Sequence, residues 1–300
     1  MAGRLIRPIY FKPHHLRLPM NNIPPLDATR LLIKKYGLRA DKHLGQNYLQ
    51  DAGALERIVQ AAEIQKADTV LEIGPGLGSL TRYLSVSAHQ VVAVELDPKL
   101  VSVLQTLLKA YANVRLIQGD ILDLTPKELE LPSDYLVAAN IPYNITSAII
   151  RHLLESHPEP RRIVLTVQKE VAERICATPP DMSLLALSVQ VYGTPQITAH
   201  IPAEAFFPTP KVDSAVVRIE IYSEPLISPP LLPDFFQLIK AGFSQKRKTL
   251  RNSLSAGLRI STTEAESLLA KADIDSKRRA ETLNLNEWKE LSQNFKEKNE

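Results

Sequence analysis

Short apolar segments bounded by turn-forming residues recur along much of the chain. Helical spacing of apolar residues separates the first five of seven such segments. Strands buried in a parallel sheet are apolar along their length, because helices cover both faces. The pattern therefore predicts an α/β fold with strands at residues 69–73, 90–95, 114–117, 135–139, 162–167, 187–191 and 214–219.

The last two predicted strands follow one another without a convincing helix between them. Strands joined without a crossover helix pair antiparallel, so we expect a hairpin at one edge. The predicted fold class is a seven-stranded Rossmann-like α/β sheet with an antiparallel edge strand, followed by a small all-helical domain.

A change of composition after Tyr222 predicts a domain boundary. Residues 223–230 are rich in proline and predict a linker. Beyond them the chain has only helical patterns with many Lys and Arg. We expect one domain at residues 27–222 and a small helical domain at residues 223–300.

Residues 1–26 contain four Lys or Arg, two His and no acid. Without a continuous apolar run they do not form a secretory signal. We expect a disordered basic arm, or a true start at Met20. An organellar transit peptide is the alternative.

Composition restricts the class of protein. No apolar run is as long as a membrane span, and the formal charge of +3 implies that any nucleic-acid surface is local. The single cysteine, Cys176, excludes a disulfide framework and a cysteine-based zinc site. We expect a cytoplasmic protein without a metal, since the histidines also lack metal-ligand spacing.

A glycine-rich turn, Glu72-Ile73-Gly74-Pro75-Gly76-Leu77-Gly78, follows the first predicted strand. Its glycines let a ligand approach the backbone at the start of the next helix. A dinucleotide motif would need glycine at Ser79. Glu95 ends the second strand, where an acid can bind a ribose diol, and Asp120 ends the third, where a carboxylate can accept from an adenine amino group. Together they predict a ligand that contains adenosine.

The fourth strand leads into Asn140-Ile141-Pro142-Tyr143. The Asn140 side-chain oxygen and a nearby carbonyl can accept the hydrogens of a planar amine, which draws its lone pair out of conjugation. Pro142 fixes the turn, and the Tyr143 ring can stack on a flipped base. A plain proline turn is the alternative interpretation of this tetrapeptide alone.

Three further segments complete a wider pattern: Leu44-Gly45-Gln46-Asn47-Tyr48-Leu49, Phe206-Phe207-Pro208-Thr209-Pro210-Lys211-Val212-Asp213-Ser214, and the Lys- and Arg-rich residues 243–254. With the motifs above, they make residues 29–290 resemble the small-subunit ribosomal RNA adenine N6,N6-dimethyltransferase family.

The resemblance implies a class I methyltransferase sheet with S-adenosylmethionine as donor. It further implies dimethylation of N6 of two adjacent adenines in the 3′-terminal hairpin loop of small-subunit rRNA, during subunit assembly. The donor residues it implies are Asn47, Leu49, Gly74, Gly76, Glu95, Asp120 and Asn140. It places the adenine against Asn140, Pro142 and Tyr143, with Phe206 as a second aromatic wall, for which packing into the core is the alternative.

The chain departs from the family pattern at residues 41–44, which are less basic than usual, and at residues 184–186. Both changes could weaken or reshape RNA contacts. The resemblance favours an RNA surface on a helix that carries Lys246, Arg247, Lys248 and Arg251, with a second basic group at residues 277–279. A solvated helix face is the alternative for such charge runs.

We expect a monomer that acts on rRNA within the assembling small ribosomal subunit. Two alternatives stay open: an Erm-type methyltransferase of large-subunit rRNA, and a non-catalytic assembly or transcription factor on the same fold. The intact Asn140, Pro142, Tyr143 and Glu95 argue against lost catalysis, and the chain shows no separate domain for reading DNA.

Overall fold

The computed structural model describes residues 9–10, 29–39 and 45–299. Most of the expected N-terminal arm, and the departure at residues 41–44, lie outside this range. The described chain forms two compact units. The first extends to Ala172 and includes Gln196–Ile221; the second comprises Glu173–Pro195 and the chain from Tyr222 onward.

The strands are β1 (Ile9–Tyr10), β2 (Tyr48–Leu49), β3 (Thr69–Ile73), β4 (Gln90–Glu95), β5 (Val114–Gln118), β6 (Leu136–Asn140), β7 (Arg162–Gln168), β8 (Gly193–Ile201), β9 (Phe206–Phe207) and β10 (Ser214–Ile221). Within the described residues, eight of them form one sheet in the order β1-β5-β4-β3-β6-β7-β10-β8, and β2 pairs with β9.

Strands β3 to β7 pair in parallel, which aligns their carboxyl ends along one edge. Every residue of β3 is buried, as expected for a strand covered on both faces. Strand β10 runs antiparallel to β7, with Val217 opposite Leu165. The predicted fold class is confirmed, with two differences: β1 adds an eighth strand to the described sheet, and the reversed strand β10 lies between β7 and β8 rather than at the edge.

The helices are α1 (Thr29–Lys35), α2 (Ala52–Ala62), α3 (Ser79–Ser87), α4 (Pro98–Leu107), α5 (Thr146–Glu155), α6 (Lys169–Ile175), α7 (Leu184–Gln190), α8 (Leu232–Gly242), α9 (Leu250–Leu258), α10 (Thr262–Lys271) and α11 (Leu285–Asn299). Local caps explain several starts. The Asp51 carboxylate accepts from the Ala54 amide at 2.7 Å, and Ser261 with Glu264 forms a capping box. No helix in the described part of the chain is long and apolar enough to cross a membrane.

The prediction of a strand at residues 187–191 is wrong, because these residues belong to α7 and the turn after it. The Ser183 hydroxyl accepts from the Ala186 amide at 2.9 Å and caps the helix. The Leu- and Ala-rich sequence that follows favours a helix. A short apolar run does not by itself distinguish a buried strand from a buried helix.

The strand that pairs with β10 at this edge is β8, which was not predicted from the sequence. Its residues alternate between exposed and more buried positions, and Pro195 obscures the pattern. Proline is tolerated on an edge strand, since its missing N–H faces away from the sheet. β8 is the last strand in the sheet order.

The second unit is helical around a separate apolar core. Trp288, Phe235 and Leu254 are fully buried there and belong to one cluster. The longer segment of this unit begins at Tyr222, the residue after which a domain boundary is expected from the sequence. The segment Glu173–Pro195, which contains the departure at residues 184–186, was not expected to belong to it.

Candidate active site

The glycine turn after β3 adopts a backbone that only glycine takes without strain. Gly74, Gly76 and Gly78 have φ values of +66°, +61° and +76°. A Cβ on Gly74 would meet nothing within 4 Å, whereas one on Gly76 would lie 3.0 Å from the Tyr48 ring. The turn therefore leaves open space at Gly74, where a ligand can approach the backbone.

The Glu95 carboxylate lies at the end of β4 and is 6% exposed. One oxygen accepts from the Gly76 amide at 3.1 Å and the other from the Asp97 amide at 3.0 Å. Burial raises the pKa of this carboxyl to about 6, against the lowering effect of those two amides. Glu95 is thus held rigidly beside the glycine turn and is mostly ionised at neutral pH.

Glu72 is a site residue that the sequence analysis did not single out. It is 1% exposed and lines the same cavity as Glu95. Burial, with a smaller contribution from the negative Glu95, raises the pKa of its carboxyl to about 8, against the lowering effect of Thr81. Glu72 is therefore largely protonated at neutral pH. Its place directly before the glycine turn was the available signal, but its protonation depends on burial.

Asp120 follows β5 and begins a short 3₁₀ turn. One carboxylate oxygen accepts from the Leu122 amide at 3.0 Å. Asp120 lines the same cavity as Glu95. It follows the end of β5, the strand that pairs with β4 beside Glu95. Because one oxygen caps the turn, the side chain is oriented before any ligand binds.

Asn140 ends β6 with its amide fixed in one orientation. The side-chain nitrogen donates to the Asn47 carbonyl at 3.0 Å, and a carbonyl can only accept, so the amide cannot be reversed. The side-chain oxygen is buried and has no hydrogen-bond partner among the described residues. The site therefore contains a preoriented, unsatisfied acceptor.

Tyr143 lies in the 3₁₀ turn that follows Pro142. Its hydroxyl is 2.7 Å from the Ser214 hydroxyl at the start of β10. Burial raises the pKa of the Tyr143 phenol, against the lowering effect of Ser214. Ser214 is fully buried and ends the aromatic motif of residues 206–214, and no local pattern in the sequence indicates its contact with Tyr143.

Phe206 does not lie where the resemblance placed it. Its side chain is 1% exposed and packs in the same core cluster as Leu49 and Ile58. In the β2–β9 pair Phe206 lies opposite Leu49, and Phe207 lies opposite Tyr48. The structure therefore favours the alternative of core packing. The expectation that Phe206 forms a stacking wall for the adenine is corrected: its side chain lies in the core.

A cavity of about 320 Å³ joins these features. The predicted residues that line it are Asn47, Leu49, Gly74, Gly76, Glu95, Asp120, Asn140, Pro142 and Tyr143. All come from the carboxyl edge of the sheet or from residues 45–49. The sheet thus brings together the acids, the glycines and the Asn140 motif in a single cavity.

The predicted basic residues lie in the second unit, but mostly not on a helix. Lys246, Arg247 and Lys248 are exposed in the turn between α8 and α9, and Arg251 lies in the first turn of α9. The Leu250 amide donates to the Arg278 carbonyl at 2.7 Å, which brings the second basic group next to the first.

Individual basic residues there have different surroundings. The Arg278 guanidinium pairs with Glu287 and donates to the Thr282 carbonyl at 2.7 Å. Arg251 lies 3.4 Å from Glu266. The exposed Lys246–Lys248 turn is thus better placed for an external partner than Arg278, which is engaged in internal contacts.

Comparison with known proteins agrees with this geometry. The family model for ribosomal RNA adenine dimethylase matches residues 37–291. A protein of Dehalococcoides mccartyi (strain CBDB1) named ribosomal RNA small subunit methyltransferase A is 48% identical, over 87% of this chain and 90% of its own.

Two solved structures are also similar. A dimethyladenosine transferase from Plasmodium falciparum superposes with a TM-score of 0.72 at 27% identity, covering 84% of this chain and 98% of that one. The 23S rRNA methyltransferase ErmE superposes with a TM-score of 0.67 at 28% identity, covering 83% and 100%. The extent of the family match settles the assignment: this chain belongs to the ribosomal RNA adenine dimethylase family of S-adenosylmethionine-dependent methyltransferases.

Proposed function

We propose that this enzyme dimethylates N6 of two adjacent adenines in the 3′-terminal hairpin loop of small-subunit rRNA. The observation that carries the proposal is the buried Asn140 oxygen, which lacks a partner among the described residues and lines the cavity that holds Glu95. An unsatisfied buried acceptor costs about 1–3 kcal/mol. A bound amino group would satisfy it.

The cavity fits the donor at several points. Open space at Gly74 admits a ligand against the backbone, and the ionised Glu95 can accept from both hydroxyls of a ribose. Asp120 keeps one carboxylate oxygen for an adenine amino group, since the other holds Leu122. When bound, S-adenosylmethionine supplies a methyl group on a sulfonium, which is a good electrophile without a metal.

The acceptor half of the site lies at Asn140 to Tyr143. The Asn140 oxygen would accept a hydrogen from the adenine amine and make its lone pair available for in-line attack on the donor methyl. The bond from methyl carbon to sulfur would break, the donor would leave as a thioether, and the amine would lose a proton to solvent. The Tyr143 ring, held at its hydroxyl by Ser214, offers a face on which the flipped adenine stacks. Pro142 stiffens the turn between them. These residues position and polarise the nucleophile.

The exposed turn at Lys246, Arg247 and Lys248, with Arg251 at its end, serves in this proposal as an RNA surface of the second unit. The nearby Lys277 and Arg279 are also exposed and extend it. Contacts of this kind bind phosphates without reading sequence. The proposal is supported by the fold, which brings together two basic groups that are about 30 residues apart in sequence.

Two alternatives are less well supported. The likeness to the large-subunit enzyme ErmE is at 28% identity, whereas relatives at 38–48% carry the small-subunit name. A non-catalytic factor would not need the preoriented Asn140 amide. We further propose that the protein acts as a cytoplasmic monomer on the assembling subunit, in keeping with its single cysteine.

The test supplies methyl-labelled donor with undermethylated small subunits, large subunits or duplex DNA. We expect label in the small subunits, and label only in large subunits or DNA would overturn the proposal. Asn140→Ala should abolish transfer and leave donor binding measurable. Asn294→Ala is the matched control, because this side chain donates to the Glu290 carbonyl within α11 and does not line the cavity.

A further inference from the structure

Helix α1 and the turn after it carry a concentrated positive charge. Residues 29–39 contain four cations and no acid: Arg30, Lys34, Lys35 and Arg39. All four are exposed, and no ion pair joins them to a carboxylate within the described residues. We call these four residues the α1 surface.

Other arginines of the same unit differ in this respect. Arg57 lies 3.8 Å from Asp51, Arg151 lies 2.9 Å from Glu155, and Arg161 lies 3.2 Å from Asp68. Charges that pair within the protein are largely neutralised for an external partner. Within the part of the chain that the structure describes, no carboxylate neutralises the α1 surface, and its four like charges repel one another.

The α1 surface lies beside the cavity. Leu32 is 2% exposed and belongs to the same apolar cluster as Tyr48, Leu77 and Leu100, all of which line the cavity. The Arg30 guanidinium lies 5.1 Å from the centre of the Phe207 ring. Because Phe207 pairs with Tyr48 across β2 and β9, this contact fixes the start of α1 next to the cavity wall.

We propose that the α1 surface binds the phosphates of the RNA strand that flanks the target adenine. The inference rests on the proposed function and adds a contact made by the catalytic unit itself. An adenine that enters the cavity leaves its neighbouring phosphates outside, where exposed cations can hold the strand. Arg30 and Lys34 lie one helical turn apart, about 6 Å along the axis, and the exposed Lys35 adjoins Lys34, so these cations can contact successive phosphates of one strand.

The test compares two double variants of the full chain. Lys34→Ala/Lys35→Ala removes two charges from the α1 surface. Lys109→Ala/Lys127→Ala removes the same charge from exposed positions that do not line the cavity. Binding to undermethylated small subunits is measured across a range of salt concentrations, and donor binding is measured separately.

Two lost phosphate contacts should make the slope of log K against log salt shallower by about 1.4, given about 0.7 per contact with single-stranded nucleic acid. If binding at 1 M salt is unchanged, the α1 variant should then bind about 25-fold more weakly at 0.1 M. The control variant should keep the wild-type slope, and all three proteins should bind the donor equally. Lys34→Arg/Lys35→Arg should restore the slope, since it keeps charge and changes only shape.

An α1 variant with the wild-type slope would overturn the proposal, as would equal losses in the α1 and control variants. Failure of the proposed function gives a different result. In that case the wild-type protein itself neither labels nor binds small subunits, and no difference in binding between it and the variants can be measured.

Discussion

Acidification should weaken donor binding through Glu95. Its pKa of about 6 lies above the ordinary value of 4.5 because the carboxyl is buried. A pKa near 6 leaves roughly nine tenths of the carboxyl ionised at pH 7 and roughly one tenth at pH 5. If only the carboxylate binds the ribose hydroxyls, donor affinity should fall about tenfold between these two pH values. A carboxyl of ordinary pKa would lose only about a quarter of its charge by pH 5.

The neighbouring Glu72 does not disturb this window. The pKa of its carboxyl is about 8, so it stays protonated throughout the range from pH 7 to pH 5. Isothermal titration of the donor, or of its demethylated product, at pH 5, 6 and 7 measures the effect without RNA. A wild-type affinity that stays constant from pH 7 to pH 5 would refute the role of Glu95.

Glu95→Gln supplies the control for this experiment. An amide has one accepting oxygen, so it can satisfy the backbone N–H of Gly76 or of Asp97, but not both. The unsatisfied N–H should cost about 1–3 kcal/mol of stability. Donor binding should be weaker at pH 7 and should not change further on acidification. A variant that keeps the pH dependence would assign it to another group.

Three further predictions follow from the site geometry. Gly74→Ala and Gly37→Ala both place a Cβ at φ near +60° with nothing within 4 Å, so each should cost about 1–2 kcal/mol of stability; only Gly74→Ala should also weaken donor binding, and equal donor affinity in the two variants would contradict the proposed approach to the backbone. Ser214→Ala removes the partner of the Tyr143 hydroxyl, so kcat/KM with small subunits should fall several-fold while donor affinity holds. Tyr143→Phe should behave alike, and the double variant should be no worse than either; additive losses would show that the two residues act separately. Phe206→Leu should keep methyl transfer, because a core residue is replaced by a smaller apolar one and the resulting cavity costs about 0.5–3 kcal/mol of stability; lost transfer with an unchanged melting temperature would return Phe206 to the site.

The parallel half of the sheet was predictable from sequence because its strands are buried on both faces and appear as continuous apolar runs. The position of the site was also predictable, because the carboxyl ends of parallel strands meet at one edge of the sheet. Glu95 and Asn140 end such strands, Asp120 follows the end of another by two residues, and the structure places all three at one cavity. Strand ends are fixed by local turn chemistry, which sequence records well.

The predictions from sequence fail where tertiary contacts decide the local structure or the burial of a side chain. A Leu-rich segment became α7 through the Ser183 cap, and Pro195 hid an edge strand that tolerates it. Phe206 and Phe207 alternate in direction along β9, and only the pairing with β2 decides which one is buried. The contact of Tyr143 with Ser214 joins residues that are far apart in sequence, so no local pattern could predict it.

The central claim is that the Asn140 motif dimethylates adenine in small-subunit rRNA. The most direct measurement is nucleoside mass spectrometry of undermethylated small subunits after incubation with donor and enzyme. We expect N6,N6-dimethyladenine to form with the wild-type protein and not with Asn140→Ala. Dimethyladenine formed equally by both proteins, or by neither, would contradict it.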